Sequence, residues 1–272
     1  MTETLLVRQA GCPLYAEIDG PATAPLLVFI HGNTLDHRMF EAQTPAFRGR
    51  YRTLRYDVRG HGRSRPLGPH FSIPLCAEDL AALLDTIGAS SAILVGQSMG
   101  SYIAQEFLLR YPQRVIALVS IGGTAITQRV AAVDRFGLRL TPLLFRIWPY
   151  KALQRLTAQR VSIRAEVQRY AFECFQLLPQ RDFLAIWGGV ATALHYQPDY
   201  RITSPLLICY GEHDNLGRIK QLTPPWAARD SAGRYTIIPD AGHNANQDNP
   251  VYFNRLLSDF LAETLAGVGN RL

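Results

Sequence analysis

Continuous apolar runs of four or five residues alternate with stretches of helical spacing along this 272-residue chain, and this alternation constrains its fold most. The run Leu26–Ile30 is apolar at every position, which is typical of a strand buried on both faces of a parallel sheet. Residues 74–88 show helical spacing, and the segments Leu5–Val7 and Leu14–Ala16 flank Gly11 as in a hairpin. Strands that alternate with helices predict an α/β fold with a mostly parallel central sheet flanked by helices. The strand candidates are Leu26–Ile30, Ala92–Val95, Val115–Val119, Leu206–Tyr210 and Tyr235–Ile238.

The alternation is interrupted once. Residues 124–199 contain no strand-like run, but the apolar residues within 167–178 fall at steps of three and four, as they do in a helix. This stretch also holds 10 of the 27 aromatic residues. We therefore expect an α/β core domain of residues 1–123 and 200–272, into which a helical cap of residues 124–199 is inserted after the sixth strand.

Composition excludes several classes of protein. The hydrophobic fraction of 47% is too high for an intrinsically disordered chain. No apolar run approaches the roughly 18 residues that a membrane helix needs, so we expect no membrane span. The start, Met1–Thr4, has an acid where a signal peptide has basic residues, and we expect a cytoplasmic protein.

The charges and the cysteines indicate neither a nucleic-acid partner nor a metal site. The net charge is +6, from 28 basic and 22 acidic residues, but acids and apolar residues interrupt the arginines everywhere. The four cysteines are far apart and fit no metal-ligand spacing, so we predict that they are buried free thiols. They are Cys12, Cys76, Cys174 and Cys209.

The segment Gly96–Gly100 has the pattern Gly-x-Ser-x-Gly, with Ser98 at its centre. It follows a strand candidate and opens an apolar helical stretch, which is the context in which this pattern presents a nucleophilic serine. The turn must be so tight that the neighbours of the serine cannot carry side chains, and the two glycines provide that room. The alternative is a strand-to-helix turn without chemistry.

A serine nucleophile needs a base that is itself oriented by an acid, and two later segments supply them. Asp214 comes just after the strand candidate at 206–210, and His243 comes just after the one at 235–238. In open α/β sheets the active-site residues gather at the carboxyl ends of the strands, where all three candidates lie. Asp57 also follows a strand and is the rival for the acid. The place before the cap, residues 120–123, contains no carboxylate.

With the order Ser98, Asp214, His243, the chain resembles serine hydrolases of the α/β-hydrolase fold that carry a helical cap, of the carboxylesterase and lactonase type. His31-Gly32-Asn33 is similar to the His-Gly segment of this family. The resemblance implies an oxyanion hole formed by the backbone N–H groups of Asn33 and Met99. It also implies that a small ester or lactone is cleaved through an acyl-enzyme, with no metal and no organic cofactor.

Some residues depart from related groups and leave other functions open. A dehalogenase of this fold needs an aspartate where this chain has Ser98. Carbon–carbon bond hydrolases tend to have Asn before the nucleophile and an aromatic residue after the histidine, and here Gln97 and Asn244 occupy those places. The alternatives are a carbon–carbon bond hydrolase or a perhydrolase with the same triad, or a non-catalytic receptor. The sequence leaves the substrate and the oligomeric state open.

The other histidines near the motifs, and Asp240, are expected to have structural roles. We expect His31 and His61 to hold loops through hydrogen bonds, His213 to face solvent or pack within its loop, and Asp240 to shape a turn. The cap carries ten basic residues against five acids. Arginines facing the entrance would attract anionic substrates, whereas arginines facing bulk water would form an ordinary solvated surface.

Overall fold

Eight strands form one sheet in the computed structural model, which describes residues 2–129, 131–230 and 233–269 apart from the side chains at 132–135, 139 and 267–269. The predicted bounds of the strand candidates lie within two residues of those found here. The strands are β1 (Glu3–Gln9), β2 (Cys12–Asp19), β3 (Leu26–Ile30), β4 (Arg52–Tyr56), β5 (Ala92–Gln97), β6 (Val115–Ile121), β7 (Leu206–Gly211) and β8 (Gly233–Ile238).

The strand order across the sheet is β1-β2-β4-β3-β5-β6-β7-β8. Strands β1 and β2 form the predicted antiparallel hairpin, and β2 also pairs antiparallel with β4. All the other neighbours pair in parallel. The predicted α/β architecture with a mostly parallel sheet is therefore confirmed, and the carboxyl ends of β3 to β8 lie along one edge.

Helices cover both faces of the sheet. Leu80 and Phe107 belong to the core on one face, and Phe40 and Phe253 belong to the core on the other, and none of the four is accessible to solvent. Short 3-10 helices span His37–Phe40 and Pro112–Arg114. The α-helices are α1 (Thr44–Phe47), α2 (Ile73–Thr86), α3 (Met99–Arg110), α4 (Ala132–Ile147), α5 (Tyr150–Val161), α6 (Ala165–Gln176), α7 (Gln180–Ala191), α8 (Ile219–Arg229), α9 (Ala245–Asp248) and α10 (Pro250–Gly269).

Helices α4 to α7 lie between β6 and β7, so a helical insertion follows the sixth strand. Aromatic side chains pack these helices against one another. The ring centroid of Phe183 in α7 is 4.9 Å from that of Phe175 in α6 and 5.6 Å from that of Phe145 in α4. The exact bounds of core and cap stay a prediction. Residue 130 of the predicted cap, and residues 1, 231, 232 and 270–272 of the predicted core, lie outside the described residues.

All four cysteines are free and buried, as predicted. Within the described residues, no helix combines the length and the apolar character that are needed to cross a bilayer.

Candidate active site

Ser98 occupies the turn between β5 and α3 with a strained backbone, at φ +50° and ψ −111°. A Cβ atom added to Gly96 would lie 2.3 Å from the carbonyl oxygen of Gly100, and one added to Gly100 would lie 2.1 Å from that of Ile30. Neither position has room for a side chain, which agrees with the argument from sequence. A strained non-glycine residue in such a tight turn is typical of a functional site.

Asp214 and His243 follow the carboxyl ends of β7 and β8 and contact each other. The Nδ1 atom of His243 lies 2.8 Å from Oδ2 of Asp214, and both side chains are buried. Their loops come this close because Gly211 has no side chain: a Cβ atom there would lie 2.0 Å from the carbonyl oxygen of Gly242. In this contact Nδ1 carries the proton and donates a hydrogen bond to the carboxylate. The other ring nitrogen, Nε2, is then unprotonated and can accept a proton.

Two cavities meet at the turn that carries Ser98. The large lobe has a volume of about 540 Å³ and the small lobe about 240 Å³, and Ser98, His243 and Asn33 line both of them. Met99 lines the large lobe as the first residue of α3. The structure thus brings all the predicted site residues except the buried Asp214 to one cavity wall, with Asp214 directly behind His243.

The two amides predicted to bind an oxyanion are not used elsewhere. Within the described residues, the backbone N–H groups of Asn33 and Met99 donate no hydrogen bond. The Met99 amide lies at the first turn of α3, where the helix presents its unpaired N–H groups and its positive end. The arrangement offers two free donors beside a serine and a histidine–aspartate pair.

Two neutral histidines fix the loop that carries Asn33. The Nε2 atom of His31 accepts a hydrogen bond from the Val58 N–H at 2.9 Å, and its Nδ1 contacts the Gly32 carbonyl oxygen at 2.7 Å. The Nε2 atom of His61 lies 3.2 Å from the Asn33 side chain. Burial lowers the pKa of both rings, that of His61 to about 3, so both are uncharged at neutral pH. They hold loops through hydrogen bonds, as the sequence predicted.

Asp57, the rival for the acid, pairs with a different histidine. Its Oδ1 atom lies 2.7 Å from Nδ1 of His37 and accepts the His37 backbone N–H, and its Oδ2 accepts the Arg63 N–H at 2.6 Å. Burial on its own would raise the pKa of the Asp57 carboxyl, but the hydrogen bond and the charge of His37 outweigh it, and the pKa is lowered. Asp57 therefore serves a buried network away from His243.

Asp36, His37 and Asp57 offer ligand atoms within 4.8 Å of one another, as a metal site would. However, Arg38 already binds the Asp36 carboxylate through Nε and through its terminal nitrogen at 2.7 Å. Burial alone would raise the pKa of Asp36, but the hydrogen bond and charge of Arg38 lower it to about 2. The chemistry of this cluster is that of a carboxylate neutralised by a guanidinium.

Gly122 takes the place after β6 where the sequence showed no carboxylate. Its φ is +57°, and a Cβ atom there would lie 3.0 Å from Nδ1 of His243. The glycine lets the imidazole ring pack directly against the backbone, and a Cβ atom there would require the ring to shift by a few tenths of an ångström. Sequence reasoning missed this role, because only the folded chain brings the end of β6 beside the histidine loop.

Replacing Gly122 with alanine is therefore expected to disturb the histidine. Activity should fall by about 10- to 100-fold, since small displacements of catalytic groups have effects of this size. Gly88→Ala is the matched control, because Gly88 also has a positive φ, +68°, but open space around it. Both variants should lose about 1–2 kcal/mol of unfolding free energy. Equal activity of the two in an ester hydrolysis assay would contradict the packing role.

The cap forms the roof of both lobes, and its lining is mainly apolar. Leu138, Trp187 and Val190 line the large lobe, and Phe145, Phe183 and Trp187 line the small lobe. Among the cap's basic residues whose side chains are described, Arg160 lines the small lobe. Of the two alternatives for the cap arginines, a position facing the cavity is found at Arg160.

The cap also contacts the histidine loop, directly at Asn244 and through Asp248 at Gly242. The Asn244 N–H donates to the Val161 carbonyl oxygen at 2.7 Å. The Asp248 carboxylate accepts the Gly242 N–H at 2.7 Å, and also the Ile163 N–H at 3.1 Å and the Ser162 hydroxyl. Sequence reasoning missed Asp248, since nothing in the sequence relates a carboxylate five residues after the histidine to residues 162 and 163.

Comparison with known proteins identifies the family. A family model described as the alpha/beta hydrolase fold matches residues 25–250, which is most of the chain. The chain belongs to the α/β-hydrolase fold family.

Several relatives of this α/β-hydrolase are named as hydrolases. The chain is 28% identical over 269 residues to the 2-(acetamidomethylene)succinate hydrolase of Mesorhizobium japonicum, covering 95% of this chain and 91% of the relative. It is 30% identical over 256 residues to the 2-hydroxy-6-oxononadienedioate/2-hydroxy-6-oxononatrienedioate hydrolase of Burkholderia vietnamiensis, covering 86% of each. Its fold matches a thermophilic esterase from Thermogutta terrifontis, solved with malate bound, with a TM-score of 0.84 at 21% identity over 96% of this chain and 99% of the other.

The unusual pair at positions 97 and 244 is a contact in this α/β-hydrolase. The Gln97 Nε2 atom donates to the His243 carbonyl oxygen at 3.1 Å and lies 3.4 Å from Oδ1 of Asn244. The Gln97 Oε1 atom takes the space that a side chain at Gly32 would need. His213 is exposed, and Asp240 has a φ of +50° in the turn before the histidine, as the sequence predicted for both.

Proposed function

We propose that this α/β-hydrolase is a serine hydrolase that cleaves a carboxylic ester or a lactone through an acyl-enzyme intermediate. The observation that carries the proposal is the 2.8 Å contact between Asp214 and His243, whose ring lines the same cavity as the strained Ser98. Nucleophile, base and orienting acid are the parts that acyl transfer by serine requires.

In the first half-reaction, Ser98 Oγ attacks the substrate carbonyl carbon while His243 Nε2 takes the hydroxyl proton. Asp214 keeps Nδ1 protonated and stabilises the imidazolium that forms. The tetrahedral intermediate collapses when its bond to the leaving oxygen breaks and His243 returns the proton to that oxygen. A water molecule then gives its proton to His243, attacks the acyl carbon and releases the acid, and the proton returns to Ser98.

The oxyanion of each tetrahedral intermediate is bound by the N–H groups of Asn33 and Met99. Both are fixed before the substrate arrives, one by the histidine-held loop and the other by the first turn of α3. Donors that need no reorganisation contribute several kcal/mol to lowering the barrier, about 3–4 kcal/mol for one such donor.

The two lobes support a substrate whose scissile carbonyl sits between two unequal groups. One group enters the large apolar lobe and the other the small lobe, in either orientation of the ester. Esterase and lactonase chemistry is further supported by the solved neighbours, which include the enol-lactonase of Burkholderia xenovorans at a TM-score of 0.81.

A second candidate is hydrolysis of a carbon–carbon bond by the same residues. The Burkholderia vietnamiensis relative, a hydrolase of 2-hydroxy-6-oxononadienedioate, favours including it in the test. The Gln97–Asn244 contact differs from the Asn and the aromatic residue that carbon–carbon bond hydrolases tend to have at these two positions. It therefore favours hydrolysis of an ester or a lactone.

The test combines a covalent probe with a substrate panel. A fluorophosphonate should label the wild-type protein at Ser98 and should fail to label Ser98→Ala. A panel of p-nitrophenyl esters, lactones and vinylogous diketones should show turnover of esters or lactones. No labelling would indicate a ligand-binding protein of this fold, and turnover confined to the diketones would assign carbon–carbon bond cleavage.

A further inference from the structure

The small lobe contains one cationic side chain that lacks a partner. Arg160 lies in the last turn of α5, is exposed to solvent and lines the small lobe together with Ser98. Within the part of the chain that the structure describes, its guanidinium makes no hydrogen bond and no ion pair. By contrast, Arg164, the next arginine along the chain, donates from Nε to the Asp248 carbonyl oxygen at 3.4 Å.

The rest of the lining supplies no counterion for Arg160. The residues around the small lobe are apolar or carry uncharged polar groups, apart from Arg160 and the imidazole of His243, and no carboxylate is among them. A guanidinium at the edge of an apolar cavity suits an incoming carboxylate, because its planar donors match the two carboxylate oxygens and no carboxylate of the lining competes for it.

Two hydroxyl groups accompany Arg160. Thr157 lies one turn earlier on the same face of α5 and lines the small lobe. Thr34 follows Asn33 and has a φ of +67°. It is buried and lines the small lobe. Among the described residues neither hydroxyl has a hydrogen-bond partner.

The conformation of Thr34 is an independent sign of function. A β-branched residue at a φ of +67° is a true outlier, and glycine or asparagine would adopt this backbone with less strain. This strained residue lies in the wall of the small lobe, next in the chain to Asn33.

We propose that the small lobe is a carboxylate subsite, so that the preferred substrate carries a carboxylate a few bonds from its scissile carbonyl. Arg160 binds the carboxylate in the two-pronged geometry that suits a guanidinium, and the hydroxyls of Thr34 and Thr157 donate to the remaining lone pairs. This inference rests on the proposed function, and it adds the charge of the substrate and the residues that recognise it.

The test uses two pairs of esters whose members differ by one negative charge. In the first pair the charge is on the acyl side: p-nitrophenyl hexanoate and the p-nitrophenyl monoester of adipate. In the second pair it is on the alcohol side: phenyl acetate and 3-acetoxybenzoate. The two pairs cover both orientations of an ester in the lobes. The measured quantity is the ratio of kcat/KM for the anionic ester to that for the neutral ester.

In at least one pair, Arg160→Gln should lower this ratio by about 10- to 100-fold, the effect of losing a charged hydrogen-bonding partner. Arg160→Lys should give an intermediate ratio, because it keeps the charge but loses the planar fork. Thr34→Val keeps the branched shape and should lower the same ratio by about threefold to tenfold. Arg155→Gln is the matched control, an exposed arginine of the same helix outside the lobe, and its ratio should equal that of the wild type.

Two outcomes would overturn the subsite, and they are distinguishable. If the neutral esters are hydrolysed but Arg160→Gln and Arg155→Gln give the same ratio in both pairs, the carboxylate subsite is wrong and the serine hydrolase stands. If the fluorophosphonate does not label Ser98 and the wild type hydrolyses neither these four esters nor any ester or lactone of the panel, the proposed function fails and the subsite fails with it. Arg160→Gln should melt within about 2 °C of the wild type, as expected for a surface substitution.

Discussion

Ser98→Ala is expected to lower turnover by about 10⁶-fold, the loss that removal of the nucleophile causes in other triads. Without the hydroxyl no acyl-enzyme forms, and His243 and the two free amides can only promote slow attack by water. The measurement is hydrolysis of the best neutral ester from the panel, with the background rate subtracted.

The variant should keep its fold, because alanine is smaller than serine and adopts the same strained backbone at φ +50° at a similar cost. Circular dichroism and the melting temperature provide the control. Residual activity above about one percent of the wild type, in a protein of unchanged melting temperature, would mean that another residue is the nucleophile.

Asp214→Asn is expected to lower kcat by roughly 10⁴-fold, because an amide does not hold Nδ1 of His243 protonated and does not stabilise the imidazolium. The substitution is nearly isosteric, and the Leu216 N–H that donates to Oδ1 at 3.0 Å can still donate to the amide oxygen. The variant should therefore fold, and the loss should appear in kcat.

Asp57→Asn is the matched comparison, since Asp57 is equally buried and also contacts a histidine. It should act mainly on stability, by about 1–3 kcal/mol, because the carboxylate is the shared acceptor for His37 and the Arg63 N–H. Ester hydrolysis and urea unfolding of both variants separate the two roles. If the two results came out reversed, Asp57 would be the triad acid.

The sheet was predictable from sequence where its strands are buried on both faces. The runs that became β3, β5, β6 and β7 consist of apolar side chains because helices cover them on each side. The bounds of β4 were not predicted, because Arg52 and Arg55 interrupt its apolar pattern. In the fold, Arg55 reaches Glu17 of β2 at 2.9 Å from Nε, so its charge is paired across the sheet.

The proposed catalytic residues could be predicted from the sequence, because their order along the chain and their positions after strands identify them. Ser98, Asp214 and His243 could be proposed because each follows a strand and the first sits between glycines. Gly122 and Asp248 could not, since their roles come from distances between segments that the sequence does not relate.

The residues proposed to determine the specificity of the cavity could not be predicted from the sequence, because they too come together only in the folded chain. Ten basic residues in the cap predicted a positive surface but did not single out Arg160. Thr34 gave no signal, because only the folded backbone reveals its left-handed conformation.

The hydrogen bonds that residues 161–163 make with Asn244 and Asp248 have a consequence for protein engineering. Exchanging the cap for that of a relative changes more than the shape of the pocket, because the same segment binds the Asn244 N–H and the Asp248 carboxylate that accepts the Gly242 N–H. A transplanted cap that does not place a carbonyl, a hydroxyl and an N–H at these three positions removes the acceptor of the Asn244 N–H and two of the donors to Asp248. Chimeras of this hydrolase should therefore keep residues 161–163 of this chain, so that the substrate range is redesigned without loosening the proposed catalytic base.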